Sequence, residues 1–294
     1  MNRIRPSVNV ILSVLAGLVS VLTILPLVFV AIISFSAESS ISHKGYSFIP
    51  ETLSLDAYRY MLKSIDYIGS SFLLSVAVTA VGTFVSLWLI SSMAYVLCRT
   101  RGGLKRFYTI LILIPMFFGG GLVASYVVNT QLFALKNSFF ALILPQACSS
   151  WYILVMRTYF RDNIPADLLD AARIDGAGPF RIFASVVIPL SKPILATIGV
   201  FEAFAYWNSW YYAMIYIRPE HKELYPLQYV LYSIQKNAEF MATNDTISGA
   251  VITKIPTETF RMAVVVIITV PILVTYPLIR KYFVRGMMIG AIKE

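Results

Sequence analysis

The chain has 294 residues, 58% of them hydrophobic and only 13% charged, with a mean hydropathy of +0.73. This composition excludes an ordinary water-soluble globular domain. The net charge of +9 sits in short blocks between apolar runs, which argues for membrane topology rather than nucleic-acid binding.

Six stretches, near 10–34, 69–97, 107–128, 138–158, 194–217 and 262–280, are long enough to cross roughly 30 Å of hydrocarbon at about 1.5 Å per residue. The predicted fold is therefore all-α: a single polytopic membrane domain over 1–294 with six transmembrane helices. The first stretch lacks a small-residue cleavage site after a short apolar core and reads as an uncleaved anchor. Most of the lysines and arginines fall in four regions on one side of these spans. They are Arg3 and Arg5; Arg99, Arg101, Lys105 and Arg106; Arg157, Arg161, Arg173, Arg181 and Lys192; and Arg280, Lys281, Arg285 and Lys293. The positive-inside rule then places both termini and the loop at 160–192 in the cytoplasm.

On the opposite side, 35–66 forms a first loop. Its segment Leu55–Leu62 has helical apolar spacing and is predicted to lie along the membrane surface. The loop at 218–260 is longer, with turn signals at Pro226, Asn244-Asp245 and Gly249. His43 and His221 fall in these loops without a second ligand at metal spacing, and Cys98 and Cys148 make no metal spacing either. No metal site is expected.

The third span carries Pro115 and then Phe117-Phe118-Gly119-Gly120-Gly121. Three consecutive glycines either let a neighbouring helix approach closely or break the helix beside a translocation path.

Between the fourth and fifth spans lies a polar island, 163–193. Pro165 suits the first position of a helix, with Asp167 and Asp170 early, where the helix dipole favours negative charge. Leu168, Ala171, Ala172 and Asp175 share a face, and Gly176 is the expected left-handed stop. Phe180, Phe183 and Val187 stripe a second short helix ending before Pro189. Helices this short need something to dock against.

The fifth span contains Phe201-Glu202-Ala203-Phe204-Ala205-Tyr206-Trp207-Asn208-Ser209-Trp210-Tyr211-Tyr212. A charge near mid-bilayer is costly, so Glu202 must face protein or water. At 100° per residue Glu202, Tyr206 and Ser209 share one face, with Asn208 and Tyr212 beside it and Trp207 and Trp210 opposite. Such a face either bonds neighbouring helices or lines a path. Hydrogen-bonding groups beside aromatic rings suit a sugar, and the substrate-path reading takes Glu202, Tyr206, Asn208, Ser209 and Tyr212 together with Gly120.

Asp170-Ala171-Ala172, three residues, Gly176, nine residues and Val186-Val187-Ile188-Pro189 resemble the EAA loop of ABC importer permeases. Asp170, Val186 and Ile188 stand where the pattern has Glu, Ile and Leu. Trp207-Asn208, Tyr225-Pro226-Leu227-Gln228 and the tail 282–291 are similar to carbohydrate-uptake permeases of the maltose-importer type. Phe118-Gly119-Gly120-Gly121-Leu122 is most similar to the oligosaccharide and polysaccharide branch.

The resemblance implies a bacterial inner-membrane permease that moves a carbohydrate inward by ATP-driven alternating access. It implies that Asp170, Ala171, Ala172, Gly176, Phe180 and Phe183 couple the chain to an ATPase. The implied partners are a second related permease, two cytoplasmic ATPase subunits, an extracytoplasmic solute-binding protein and the membrane lipid. The chain itself is expected to be no enzyme and to hold no cofactor, with ATP and magnesium in the ATPase subunits. It contains no G-x-x-x-x-G-K-[ST] phosphate loop. Two rival readings are an ion-gradient-driven secondary transporter using Glu202 and a membrane enzyme acting on lipid-linked sugar. The first would want further intramembrane acids and an internal repeat, and the second a cluster of acids or histidines at the bilayer edge.

Overall fold

The computed structural model describes residues 6–63, 65–243 and 257–291, with side chains described for 8–62, 66–237 and 258–275. Every regular element among them is helical, and the one extended contact is an isolated bridge between Ser36 and Leu53. Three helices are long and apolar enough to cross a membrane: Val8–Ser34, Asp66–Arg99 and Glu258–Thr275. The number rises to five if each of two bent pairs counts as one span. The predicted turns at Asn244-Asp245 and Gly249 lie outside the described residues.

By contacts the chain divides into two compact units, Met1–Ile68 with Leu231–Leu273, and Gly69–Val230 with Val274–Glu294. The first unit contains α1 (Pro6–Ser34), α2 (Glu38–Lys44), α3 (Asp56–Lys63) and the start of α14 (Thr257–Ala291). α1 exposes apolar side chains from Val8 to Val28, Leu22 and Val21 among them, as a span does when lipid or another chain is to cover it. Beyond it the chain doubles back: Ala37 N–H donates to Thr52 O at 3.0 Å and Ser54 N–H to Phe35 O at 2.8 Å. α3 forms where the periodicity predicts, burying Ala57 and Met61 and leaving Asp56 and Arg59 in solvent.

The beginning of α14 is held by a group remote in sequence. The Glu38 carboxylate accepts from the backbone N–H groups of Glu258 and Thr259, both at 3.0 Å, and from Thr259 Oγ1 at 2.9 Å. The first N–H groups of a helix have no partner inside it, and negative charge there also answers the helix dipole. Tyr46 donates to Glu258, whose other neighbour is Arg261. Burial, then the Glu258 carboxylate, pushes the Tyr46 phenol up from its ordinary value.

The second unit carries α4 (Ile65–Arg99) from Gly69 onward, then α5 (Gly102–Phe117), α6 (Gly121–Val127), α7 (Ser150–Asn163), α8 (Ala166–Ile174), α9 (Pro179–Ile182), α10 (Ile188–Leu190), α11 (Lys192–Trp207), α12 (Tyr211–Tyr216) and the start of α13 (Leu227–Thr243). Three predicted spans are interrupted here. The third is broken at 118–120, and Gly121 takes φ +76 as the chain re-enters a helix. The fourth begins as two 3₁₀ turns, Phe139–Leu142 and Leu144–Gln146, and bends by 57° into α7. Pro145 sits at the start of the second of these turns, where its missing N–H costs no helical bond. The fifth stops at Trp207 and resumes at Tyr211. The long loop after it holds the 17-residue α13, where the sequence alone reads as loop. Its first N–H, from Leu227, is capped by Ser75 Oγ of α4 at 2.8 Å.

Removing the carboxylate in Glu38→Ala strips three hydrogen bonds from the start of α14. The loss of a helix cap predicts destabilisation of about 1–2 kcal/mol, seen as a lowered thermal midpoint of the purified protein. Glu38→Gln, which keeps one acceptor oxygen, should fall between the two.

Candidate functional site

The loop between α7 and α11 is built from its ends inward. α7 stops at Asn163 because Ile164 precedes Pro165 and is driven to extended backbone, φ −109 and ψ 110. Pro165 sits just outside α8, which begins at Ala166, so the proline is one position earlier than the first helical turn predicted for it. At the other end Gly176 has φ +77, the left-handed conformation read from the sequence. Ala177 N–H donates to Ala172 O at 2.9 Å and Gly176 N–H to Arg173 O at 3.0 Å, the paired bonds of a Schellman stop. Asp175 is therefore the cap, not part of the helical face.

The side of α8 that packs is set by Leu169, which is 7% exposed, while Leu168 is 45% exposed. The predicted face is thus rotated by one residue. Asp170 and Ala171 point to solvent, Ala172 is half-buried, and Asp170 pairs with Arg173 at 3.0 Å. That pair is surface-exposed and worth about 0.5 kcal/mol or less.

After Gly178 the second helix does not end before Pro189. It runs through it as α9, a π-helical turn at Phe183–Val187 and α10. Proline has no N–H to give to Ser185, and the wider turn absorbs the defect: Ile188 N–H donates to Phe183 O, five residues back. Ile182, Phe183 and Val187 are buried, whereas Phe180 is 67% exposed. Phe183 lies between two rings of α4, 6.0 Å from Trp88 and 5.2 Å from Tyr95, and Tyr95 Oη donates to Pro179 O at 3.2 Å. These side chains join Ile90, Leu97, Met156 and Ile198 in one apolar core, so the loop is seated on α4, α7 and α11. At Ser191 the chain then turns by 82° into α11.

α11 crosses α4 at close range. A Cβ on Gly82 would meet the Tyr206 ring at 2.6 Å, and one on Gly199 would meet Leu87 at 3.2 Å. Small residues on both helices allow this approach. Between them Ser86 Oγ lies 2.9 Å from Tyr206 Oη, with the Glu202 side chain close by. Tyr206 Oη donates to Ile143 O at 3.1 Å, tying the 3₁₀ turns to the same point. Glu202 and Tyr206 are 3% and 2% exposed, enclosed by this chain's own helices.

The structure separates the remaining predicted path residues from this pair. The helical arithmetic that aligned them assumed an unbroken span, and α11 ends at Trp207. Asn208 caps that end, its Nδ2 donating to Phe204 O at 2.9 Å while its Oδ1 accepts from Gln228 at 3.0 Å. Ser209 donates its N–H to Tyr206 O. Tyr212 belongs to a column of near-parallel rings, 6.3 Å from Tyr216, which is in turn 5.9 Å from Tyr126. Tyr216 Oη accepts from Asn129 at 3.0 Å. Gly120 lies in the break before α6, with open space where a side chain would stand.

Sequence reasoning missed Gly82 and Ser86. The signal was available as a run of small and hydroxyl residues along α4, Ser71, Ser75, Thr79, Gly82 and Ser86, at the three- and four-residue spacing of one helix face.

Comparison with known proteins gives three consistent results. A family model described as "Binding-protein-dependent transport system inner membrane component" matches residues 86–289. The polygalacturonan/rhamnogalacturonan transport system permease protein YtcP of Bacillus subtilis (strain 168) is 37% identical over 274 residues, 93% of this chain and 94% of that protein. Protein LplC of the same organism is 34% identical over 278 residues, 94% and 92% of the two chains. Among solved structures, a bacterial ABC transporter involved in the import of the acidic polysaccharide alginate superposes with a TM-score of 0.80 at 28% identity. It covers 96% of this chain and 100% of that one.

Gly82→Ala places a methyl group inside the Tyr206 ring position and should destabilise the fold by about 1–3 kcal/mol through overpacking. Thermal unfolding reads the loss. Adding Tyr206→Leu in the same chain should restore part of it, giving a non-additive pair.

Proposed function

We infer the role of this chain from its family: it belongs to the binding-protein-dependent transport system inner membrane components, proteins of the membrane that work with other parts of a transport system. It is the permease subunit of an ABC importer for sugars or oligosaccharides, and the match over nearly its whole length to carbohydrate permeases carries that reading. A fragment of an acidic polysaccharide is the first substrate to test, because the polygalacturonan permease and the alginate importer both handle uronate polymers. The ion-gradient alternative finds no support in these relatives.

The loop at 160–192 is the coupling element in this proposal. Its core-facing side chains, Leu169, Ile182 and Phe183, fix it to α4, α7 and α11. Leu168, Ile174 and Phe180 stay exposed, an apolar surface of the kind that a cytoplasmic ATPase would cover. Six spans with both termini inside remain the topology of the proposal, the three interrupted stretches each counting once. The assembly comprises a second related permease, two ATPase subunits that bring ATP and magnesium, and an extracytoplasmic solute-binding protein. ATP binding moves the seated loop, and the loop moves the helices it is packed on. For the path, Asn208 with Gln228 and the ring column at Tyr212 offer hydrogen bonds and flat apolar surfaces to a sugar. Glu202 and Tyr206 hold α11 against α4 behind them.

Transport should therefore require ATP. In proteoliposomes holding the whole complex, uptake of labelled oligogalacturonate or alginate oligosaccharide is expected only with ATP on the ATPase side and should survive collapse of ion gradients by ionophores. Uptake driven by an ion gradient without ATP would overturn the assignment.

Gly176→Val tests the coupling loop. Space around the position is open, so the cost is the left-handed backbone alone, about 1–2 kcal/mol. We expect ATP hydrolysis to persist with transport reduced at least tenfold, and Gly176→Asn, a residue that tolerates this conformation, to keep more transport. Unchanged transport in Gly176→Val would remove the loop from the mechanism.

A further inference from the structure

The ends of α4, α5 and α7 and the start of α8 enclose a second feature that transport does not use. A cavity of about 160 Å³ is lined by Arg99 of α4, Lys105 of α5, and Arg157 and Arg161 of α7, with Leu169 of α8 at its wall. An adjoining cavity of about 280 Å³ shares Arg99 and Tyr95 and adds Arg173. Arg161 is paired with Asp162 at 2.7 Å and Arg173 with Asp170 at 3.0 Å. Arg99, Lys105 and Arg157 take part in none of the described ion pairs. The Arg99 Nη2 atom is buried without a hydrogen-bond partner.

The positive-inside rule accounts for basic residues at this end of the helices, but not for four of them around one small cavity. Like charges repel, and a buried guanidinium N–H without an acceptor is costly to fold around. An oxyanion in the cavity relieves both. Guanidinium groups match the oxygens of a phosphate geometrically, and a lysine adds a point charge. The setting suits a headgroup in particular, because across α5 from Lys105 the residues Leu104, Phe107, Leu111 and Ile114 form an exposed apolar face that acyl chains can cover. Basic pockets between helices on the cytoplasmic side are a recurrent way of holding anionic lipid.

We propose that the cavity among Arg99, Lys105, Arg157 and Arg161 is a binding site for a phosphate-bearing anion, supplied as the headgroup of an anionic phospholipid of the inner leaflet. Because Ala166 and Leu169 line the same cavity, its occupant also braces α8 against α4 and α7.

The test uses the complete transporter complex purified from the membrane, washed with mild detergent, and placed in nanodiscs of phosphatidylcholine with or without phosphatidylglycerol. Bound phospholipid is measured by native mass spectrometry, and thermal unfolding is followed in parallel with added inorganic phosphate. We expect wild-type complex to retain phosphatidylglycerol over phosphatidylcholine. Arg99→Gln with Arg157→Gln should lower that retention about 25-fold, taking about fivefold per charge removed, while Arg99→Lys should keep most of it. Stabilisation by millimolar inorganic phosphate that is lost in the double variant, without lipid enrichment, would keep the anion site and make free phosphate its source. If the double variant does not assemble, Lys105→Gln with Arg161→Gln, both at the exposed rim, carries the same comparison. Retention of phosphatidylglycerol and response to phosphate that are both indifferent to these four side chains would overturn the proposal.

Discussion

The contact between α4 and α11 has to form for the rest of the second unit to find its place. Gly82 and Gly199 strip both helices of side chain where they meet, and the space is filled by one tyrosine. Its hydroxyl supplies what would otherwise be missing there: a partner for the Ser86 hydroxyl and for the Ile143 carbonyl. In an apolar surround an unsatisfied polar group is costly, so this network is favourable only when complete. Its members come from three separate parts of the chain, at 86, 143 and 206. The network therefore fixes an approach distance and a register together.

The same two helices carry the loop. Trp88 and Tyr95, two turns apart on α4, hold Phe183, and Ile198 on α11 enters the same apolar core. Tyr206 and Phe183 thus act on α4 at neighbouring levels, one through the membrane-spanning crossing and the other through the loop. The Schellman stop at Gly176 and the π turn before Pro189 are two of the points where backbone geometry departs from a plain helix. Both are held by hydrogen bonds rather than left slack.

How much of this the sequence disclosed depends on the kind of signal. Gly176 was legible because one residue type dominates the left-handed stop, and it takes φ +77. The three glycines at 119–121 fit either close packing or a helix break, and the helix breaks at 118–120. The choice between Leu168 and Leu169 was not legible: adjacent leucines in a nine-residue helix fit either face, and the answer lies in what α7 and α9 present. The end of α11 at Trp207 carried no strong breaker. It depends on the Asn208 side chain competing for a helical carbonyl and on Gln228, twenty residues away. The pairing of Tyr206 with Ser86 is tertiary, and no local periodicity encodes which serine of α4 meets it. The family resemblance implies a role for the loop without indicating which of its side chains face inward.

Leu168, Ile174 and Phe180 have a consequence for the life of the chain before it joins anything. Ile174 is 88% exposed and Phe180 67%, on a loop whose backbone fold is complete without a partner. A newly inserted copy therefore displays sticky side chains to the aqueous compartment from the moment it folds. Such a surface is what chaperones and membrane proteases sample when they sort orphan subunits from assembled ones. Cellular abundance of this protein should then track the supply of whatever covers the loop, and overproduction of the chain alone should feed degradation rather than accumulate carriers.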